Sequence, residues 1–206
     1  MLDKEIFDNE TERYAKENIH FYVDNPDRYI PKDKPDLQNE KDGIGIEVCY
    51  SILPREAICE NVWGKIYDLP YSKAKTYLLK NSKKFLLDLW DCGNERKALS
   101  PFDGMVDFEI HIKNTSKIIL KKIREKLQHY LFPKTGLFVR IKYAFDEDNV
   151  QSVFSLVCEK MSVTDRHFDF YILDCPEFGY KCCVMNGKLS FEKIKKCLHK
   201  KELCSL

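Results

Sequence analysis

Glycine and proline are scarce in this chain, with only 8 of each among 206 residues, and they do not cluster in any one stretch. Flexible linkers and low-complexity tails are rich in Gly, Ser or Pro, so the composition predicts neither. The chain also lacks an apolar run of the roughly 20 residues that a membrane-spanning helix needs. We therefore expect a single cytoplasmic domain over residues 1–206, without a membrane as a partner.

An excess of charge of one sign is missing as well, because 34 basic side chains stand against 33 acidic ones. A chain balanced in this way has no long-range field that would attract nucleic acid. Positive charge is nevertheless concentrated in one predicted helix, whose basic residues are Lys113, Lys117, Lys121, Lys122, Arg124 and Lys126. Such a cluster can contact phosphate groups, so nucleic acid is the partner that we expect, and DNA before RNA.

The signature motifs of several enzyme classes are absent. The sequence contains no H-E-x-x-H zinc site, no G-x-S-x-G nucleophile elbow and no glycine-rich phosphate loop. Its nine cysteines include no C-x-x-C pair and lie mostly in apolar runs, as reduced cytosolic thiols do. These absences argue against triad hydrolases, P-loop enzymes, dinucleotide-binding enzymes and zinc fingers.

Hydrophobic periodicity divides the chain into interleaved helices and strands. Helical spacing predicts helices over 3–20, 55–67, 71–90, 116–130, 149–161 and 190–199. Alternating or continuous apolar residues predict strands over 19–23, 34–39, 44–52, 106–112, 135–144, 167–173 and 181–185. This order is typical of an α/β fold in which a mixed central sheet is flanked by helices.

One pair of these strands forms a predicted β-hairpin that carries two carboxylates. Asp42-Gly43 is a favoured pair for a two-residue type I′ turn, and a turn there pairs Gln38 with Glu47. Because side chains alternate along a strand, Asp36 and Glu47 then emerge on the same face. We expect their carboxylates to be diagonal neighbours that one hard divalent cation can bridge.

Glu47 is unusual because it interrupts the apolar strand Ile44–Tyr50, whose two faces are both expected to be covered. A buried carboxylate costs several kcal/mol unless a partner or a metal ion compensates it. The alternative interpretation is a solvated hairpin face, on which Asp36 and Glu47 simply meet water.

Two short segments, Lys34-Pro35-Asp36-Leu37 and Gly45-Ile46-Glu47-Val48, carry a resemblance to a known family. They look like the Pro-Asp strand and the Glu-x-Lys strand of the PD-(D/E)xK nuclease superfamily, whose fold is called restriction-endonuclease-like. The resemblance implies hydrolysis of phosphodiester bonds with Mg²⁺ or Mn²⁺ held by Asp36 and Glu47. It covers about residues 1–175 and leaves a predicted β-α extension at the C-terminal end.

Cys49 stands where this superfamily has its motif lysine, which helps to orient and activate the attacking water. The resemblance implies that a lysine from another element takes over this role. Lys121 or Lys122 is our choice, because we expect the helix that carries them to pack beside the hairpin, and Lys65 is a further option.

The first helix of such folds often supplies a third metal carboxylate, which Glu17 or Glu10 would provide in this chain. The sequence thus predicts a metal-dependent nuclease. Two alternatives stay open: a catalytically inactive protein of the same fold that binds nucleic acid or protein, and an unrelated α/β interaction protein.

Overall fold

The computed structural model of the protein describes residues 10–81, 87–94, 96–101, 107–161, 166–185 and 187–196. The chain divides into two compact units: unit 1 comprises Met1–Ser51 and Ile112–Leu206, and unit 2 comprises Ile52–His111. Among the helices in the described ranges, none combines the length and the apolar character needed to cross a bilayer.

The described part of the chain contains five α-helices and nine strands. The α-helices are α1 (Glu10–Asn18), α2 (Pro54–Ile66), α3 (Tyr71–Asn81), α4 (Phe108–Glu125) and α5 (Glu147–Lys160). The strands are β1 (Ile30–Pro31), β2 (Leu37–Asn39), β3 (Ile44–Ser51), β4 (Leu87–Asp91), β5 (Lys97–Pro101), β6 (Lys134–Ile141), β7 (Phe170–Asp174), β8 (Phe178–Met185) and β9 (Lys188–Lys195).

Unit 1 is built around a seven-stranded sheet with the order β1-β2-β3-β6-β7-β8-β9. Strands β3, β6 and β7 are parallel neighbours, and the remaining pairs are antiparallel. Parallel neighbours cannot be joined by a tight turn, and α5 makes the connection between β6 and β7. The sheet is therefore mixed, as the sequence predicts.

Helices cover both faces of this sheet, because successive side chains of a strand point to opposite sides. On one face, α1 packs against β3 and β6, and on the other, α4 and α5 pack against β6. The first buried cluster includes Ala15, Ile19, Ile46, Val48 and Phe138, and the second includes Ile119, Ile123, Leu137, Val139 and Val153. The predicted α/β class, with a mixed sheet flanked by helices, is confirmed.

The C-terminal helix predicted over 190–199 is wrong in the described part, because Lys188–Lys195 forms β9. This strand pairs antiparallel with β8, and Gly187, at φ +72°, allows the tight turn between them. Strand pairing thus overrides the helical spacing of the apolar residues. Residues 197–206 lie outside the described ranges.

The strand predicted over 106–112 is also wrong, because α4 begins at Phe108. Asp107 accepts a hydrogen bond from the backbone N–H of Glu109 at 2.9 Å, which is how a helix N-terminus is capped. The burial in α4 does not follow the alternation, because Phe108 and Ile110 are exposed whereas His111 is buried. Residue 106 lies outside the described ranges.

Two shorter predictions need correction. The strand predicted over 19–23 is a 3-10 helix, Ile19–Phe21. The helix predicted over 71–90 ends at Asn81, and Leu87–Asp91 forms β4.

Unit 2 contains α2, α3 and the two-stranded antiparallel sheet of β4 and β5. Val62, Ile66 and Ala74 form its buried core, against which Leu87 and Leu99 of the two strands pack. Pro54 occupies the first turn of α2, as predicted, where a missing N–H has no cost.

Candidate functional site

The hairpin of β2 and β3 places the two predicted carboxylates, but its register differs from the prediction. Gln38 pairs with Gly45 instead of Glu47, so the predicted two-residue turn at Asp42-Gly43 is wrong. The shift amounts to two residues of β3. Because side chains alternate with a period of two, the shift leaves every side chain on its predicted face.

A longer turn, Glu40–Gly43, explains this register. Its ends are tied by the side chain of Asn39, which accepts from the Asp42 N–H at 3.2 Å and donates to the Asp42 carboxylate at 2.8 Å. Gly43 closes the turn at φ +65°, a conformation that strains other residues. Asp36 directly precedes Leu37, the first paired residue of β2, and its carboxylate reaches β3 at the N–H of Val48, next to Glu47.

Gly45 makes room for the approach of the Pro35-Asp36 segment to β3. A Cβ atom on Gly45 would lie 2.4 Å from Cγ of Pro35 and 2.9 Å from the ring of Phe132. Both rings therefore pack on the bare backbone of this glycine, and Pro35 is itself buried. The packing of Pro35 positions the neighbouring Asp36 at the site.

Glu47 is buried at the centre of the site, with 3% of its surface exposed. The ammonium of Lys122, on α4, donates to its Oε1 at 2.6 Å. The hydroxyl of Tyr130, which follows the 3-10 turn after α4, donates to its Oε2. The desolvation of this carboxylate is thus compensated by one ion pair and one neutral hydrogen bond.

Asp36 lies beside Glu47 and is only partly buried. Its Oδ2 accepts a hydrogen bond from the backbone N–H of Val48 at 2.7 Å. Burial and, second, the negative charge of Glu47 raise the pKa of Asp36 to about 7. A carboxylate with such a pKa is strained as an anion, and a nearby cation would relieve the strain.

Lys122, not its neighbour Lys121, reaches the carboxylate of Glu47. The side chain of Lys121 is 68% exposed and pairs with Glu125 at 3.9 Å, whereas that of Lys122 is 23% exposed. Burial lowers the pKa of Lys122, but the hydrogen bond and charge of Glu47 outweigh burial and raise it. Lys122 is therefore cationic at neutral pH.

Cys49 shares this face of β3 with Glu47 and lies close enough to Lys122 for the ammonium to influence its thiol. Burial raises the pKa of the Cys49 thiol to about 12, so the side chain is neutral. Lys65 lies in unit 2 and is exposed.

The inner stripe of α1 differs from the prediction, because its buried residues are Glu12 and Ala15. Glu10 and Glu17 are both exposed. Glu12 is the carboxylate of α1 whose charge acts on Asp36 and raises its pKa. The spacing of Glu12 with Ala15 and Ile19 (i, i+3, i+7) is the signal that could have identified it.

The donor set at the site suits a hard divalent cation. Asp36 and Glu47 offer oxygen ligands of the kind that Mg²⁺ and Mn²⁺ prefer, and Mg²⁺ is commonly held by one or two carboxylates with water at its other positions. Each carboxylate has about four lone-pair sites, so the hydrogen bonds to Glu47 leave acceptor capacity. Within the described ranges, no group of three or more His, Cys, Asp or Glu residues is arranged to hold a metal.

The basic surface of α4 is accessible beside the site. Lys113, Lys117, Lys121 and Arg124 are exposed. Arg124 donates to the backbone carbonyl of Lys160 at 2.8 Å.

Comparison of the chain with protein-family models, with curated proteins and with solved structures found no match.

Proposed function

We propose that this chain is a metal-dependent nuclease of the restriction-endonuclease-like fold, which hydrolyses phosphodiester bonds of nucleic acid. One observation carries the proposal: Lys122 Nζ lies 2.6 Å from Glu47 Oε1, on the face of β3 that also bears neutral Cys49. The superfamily motif has a lysine two residues after its Glu. In this proposal Lys122, on α4, supplies that positive charge instead. Asp36, Glu47 and Lys122 would then act as the two acids and the lysine of the resembled motif.

The surroundings of Asp36, Glu47 and Lys122, which we call the trio, support the same proposal. Asp36 directly precedes β2, Glu47 lies on the antiparallel neighbour β3, and α4 precedes β6, the parallel neighbour of β3. The exposed lysines of α4 offer phosphate contacts on the same helix that carries Lys122. Of the two nucleic acids, DNA remains the expected substrate.

Each residue of the trio has a separate task in this proposal. Asp36 and Glu47 would hold Mg²⁺ or Mn²⁺, which when bound supplies charge stabilisation at a phosphoryl oxygen and a more acidic water. Lys122 would orient the attacking water and attract the phosphate through its positive charge. The buried position of Glu47 keeps its carboxylate in one orientation, which a metal ligand requires.

A catalytically inactive binding module is the second candidate function, and one observation favours it. Both oxygens of Glu47 already have donors, Lys122 and Tyr130, so the carboxylate is satisfied without a metal ion. In that case the trio stabilises the fold, and α4 provides a surface for a polyanion.

Nicking of supercoiled plasmid DNA in the presence of Mn²⁺ or Mg²⁺ tests the proposal, with single-stranded RNA as a parallel substrate. We expect cleavage by the natural protein, none by Glu47→Ala, and a loss of about 100-fold or more in Lys122→Met. Lys121→Met is the matched control, because this neighbouring lysine is 68% exposed and its loss removes at most one phosphate contact, so the variant should lose far less activity than Lys122→Met.

Moving the lysine back to the motif position gives a second control. We expect the double variant Cys49→Lys, Lys122→Met to recover cleavage, because an ammonium again faces Asp36 and Glu47. Cleavage that survives in Glu47→Ala would place the active site elsewhere. DNA binding without cleavage in any variant would favour the inactive binding module.

A further inference from the structure

The two donors to Glu47 come from one continuous segment but differ in character. Lys122 lies in the last turn of α4, and Tyr130 follows the 3-10 turn Leu127–His129. Lys122 donates to Oε1, and Tyr130 donates to Oε2. Each oxygen of the carboxylate therefore has its own partner.

Lys122 is the donor that can be exchanged. Its side chain is 23% exposed, and the long stem of a lysine lets the ammonium reach water while the methylene groups stay buried. A divalent cation near Oε1 would repel this ammonium. The ion pair of Lys122 with Glu47 can thus open without leaving a buried charge unpaired.

Tyr130 is the donor that stays. Only 4% of its surface is exposed, and its ring belongs to the buried cluster that also contains Ile123, Leu127 and Leu137. Movement of a ring in a close-packed core forces its neighbours to move. From within this cluster its hydroxyl donates to Oε2 of Glu47.

From this asymmetry we propose that Tyr130 is the positioning residue of the site, which holds Oε2 of Glu47 so that Oε1 faces an incoming cation in place of Lys122. The inference rests on the proposed metal-dependent function and adds to it the residue that orients the ligand. Residues that hydrogen-bond to metal ligands commonly contribute 10- to 100-fold, roughly, in affinity.

Calorimetric titration with Mn²⁺ alone, in the absence of nucleic acid, tests the proposal. We expect Tyr130→Phe to bind Mn²⁺ about 10-fold more weakly than the natural protein. Tyr180→Phe is the matched control, because the buried Tyr180 hydroxyl donates to the backbone carbonyl of Phe145 at 2.9 Å, and Tyr180 is not among the residues of the site. Tyr180→Phe should lower the melting temperature without changing Mn²⁺ affinity.

Lys122→Met provides a second variant with the opposite expected sign. Removal of the competing ammonium should tighten Mn²⁺ binding, although the same variant is expected to lose cleavage. Equal Mn²⁺ affinity of Tyr130→Phe and the natural protein would overturn the role of Tyr130 alone. Absence of Mn²⁺ binding by the natural protein would overturn this role together with the proposed function.

Discussion

At the scale of single residues, the site shows how a charge can be kept inside a sheet whose two faces are covered. Glu47 has a cation and a hydroxyl as partners, whereas Asp36 has one backbone N–H and an adjacent negative charge. The two carboxylates therefore differ in how well their charged forms are stabilised. Asp36 is the less satisfied of the two, and its stability effect should depend on pH.

We expect Asp36→Asn to stabilise the metal-free protein at pH 8 but not at pH 4. The pKa of Asp36 is raised to about 7 in the folded state from an ordinary value of 3.8, so folding favours its protonated form. The protonated side chain of Asp36 therefore stabilises the folded protein fully at a pH below its ordinary pKa of 3.8. This contribution is lost as the pH rises through about 7. Asn keeps a neutral side chain and avoids that loss.

The gain at pH 8 should be about 1–2 kcal/mol, less than the full pKa shift would imply, because Asp36 is partly exposed and screened. Urea denaturation in the presence of EDTA, from pH 4 to pH 8, measures the difference. Parallel stability profiles for Asp36→Asn and the natural protein would show that Asp36 is not strained as an anion.

At the scale of elements, the carboxyl end of β7 is tied to α1 and to the end of β9 by a second buried carboxylate. Asp174 is fully buried and accepts hydrogen bonds from the hydroxyls of Tyr14 and Tyr22 and, at 3.0 Å, from Lys196. Three side chains from separate segments thus donate to one carboxylate. The sequence prediction of a helix in place of β9 gave no indication of this connection.

We expect Lys196→Met to destabilise the protein by about 3–5 kcal/mol, because it leaves the buried Asp174 without a compensating cation. Lys195→Met is the matched control, since Lys195 is exposed and should change stability by less than about 0.5 kcal/mol. Urea denaturation at pH 7 measures both.

A double variant separates loss of the cation from loss of packing. Asp174→Asn in the Lys196→Met background removes the unpaired charge and should recover part of the lost stability. Equal stabilities of Lys196→Met and Lys195→Met would mean that Asp174 does not need its ion pair.

At the scale of the whole molecule, the proposed site lies entirely in unit 1, and unit 2 is inserted between β3 and the part of α4 that belongs to unit 1. The chain leaves and re-enters unit 1 at neighbouring points, because Ser51 Oγ and Thr115 Oγ1 are hydrogen-bonded at 2.7 Å. Unit 2 has a buried core of its own. These features predict that unit 1 does not need unit 2 in order to fold.

We expect a variant in which a short Gly-Ser linker replaces Ile52–His111 to fold and to unfold in one cooperative transition. A linker of about six residues reaches about 20 Å, enough to join the neighbouring ends. Circular dichroism during thermal denaturation tests folding, and Mn²⁺ titration tests the site. A variant without a cooperative transition would show that unit 1 depends on the inserted residues.

Sequence alone predicted the features that depend on local order along the chain. The apolar run of β3, the proline at the start of α2 and the periodicity of α5 all identify their elements, because backbone preferences and side-chain spacing act over a few residues. The register of β2 and β3 differs from the predicted one by two residues, and such an even shift leaves each paired side chain on its predicted face.

Tertiary structure decided the features that depend on how distant segments pack. Lys122 and Glu47 are 75 positions apart, and only the rotation of α4 against the sheet selects Lys122 over Lys121. The same holds for the hydroxyl of Tyr130, which is 83 positions from Glu47. One residue along a helix turns a side chain by about 100°, so a local pattern can place a helix beside a strand without determining which side chain reaches the carboxylate.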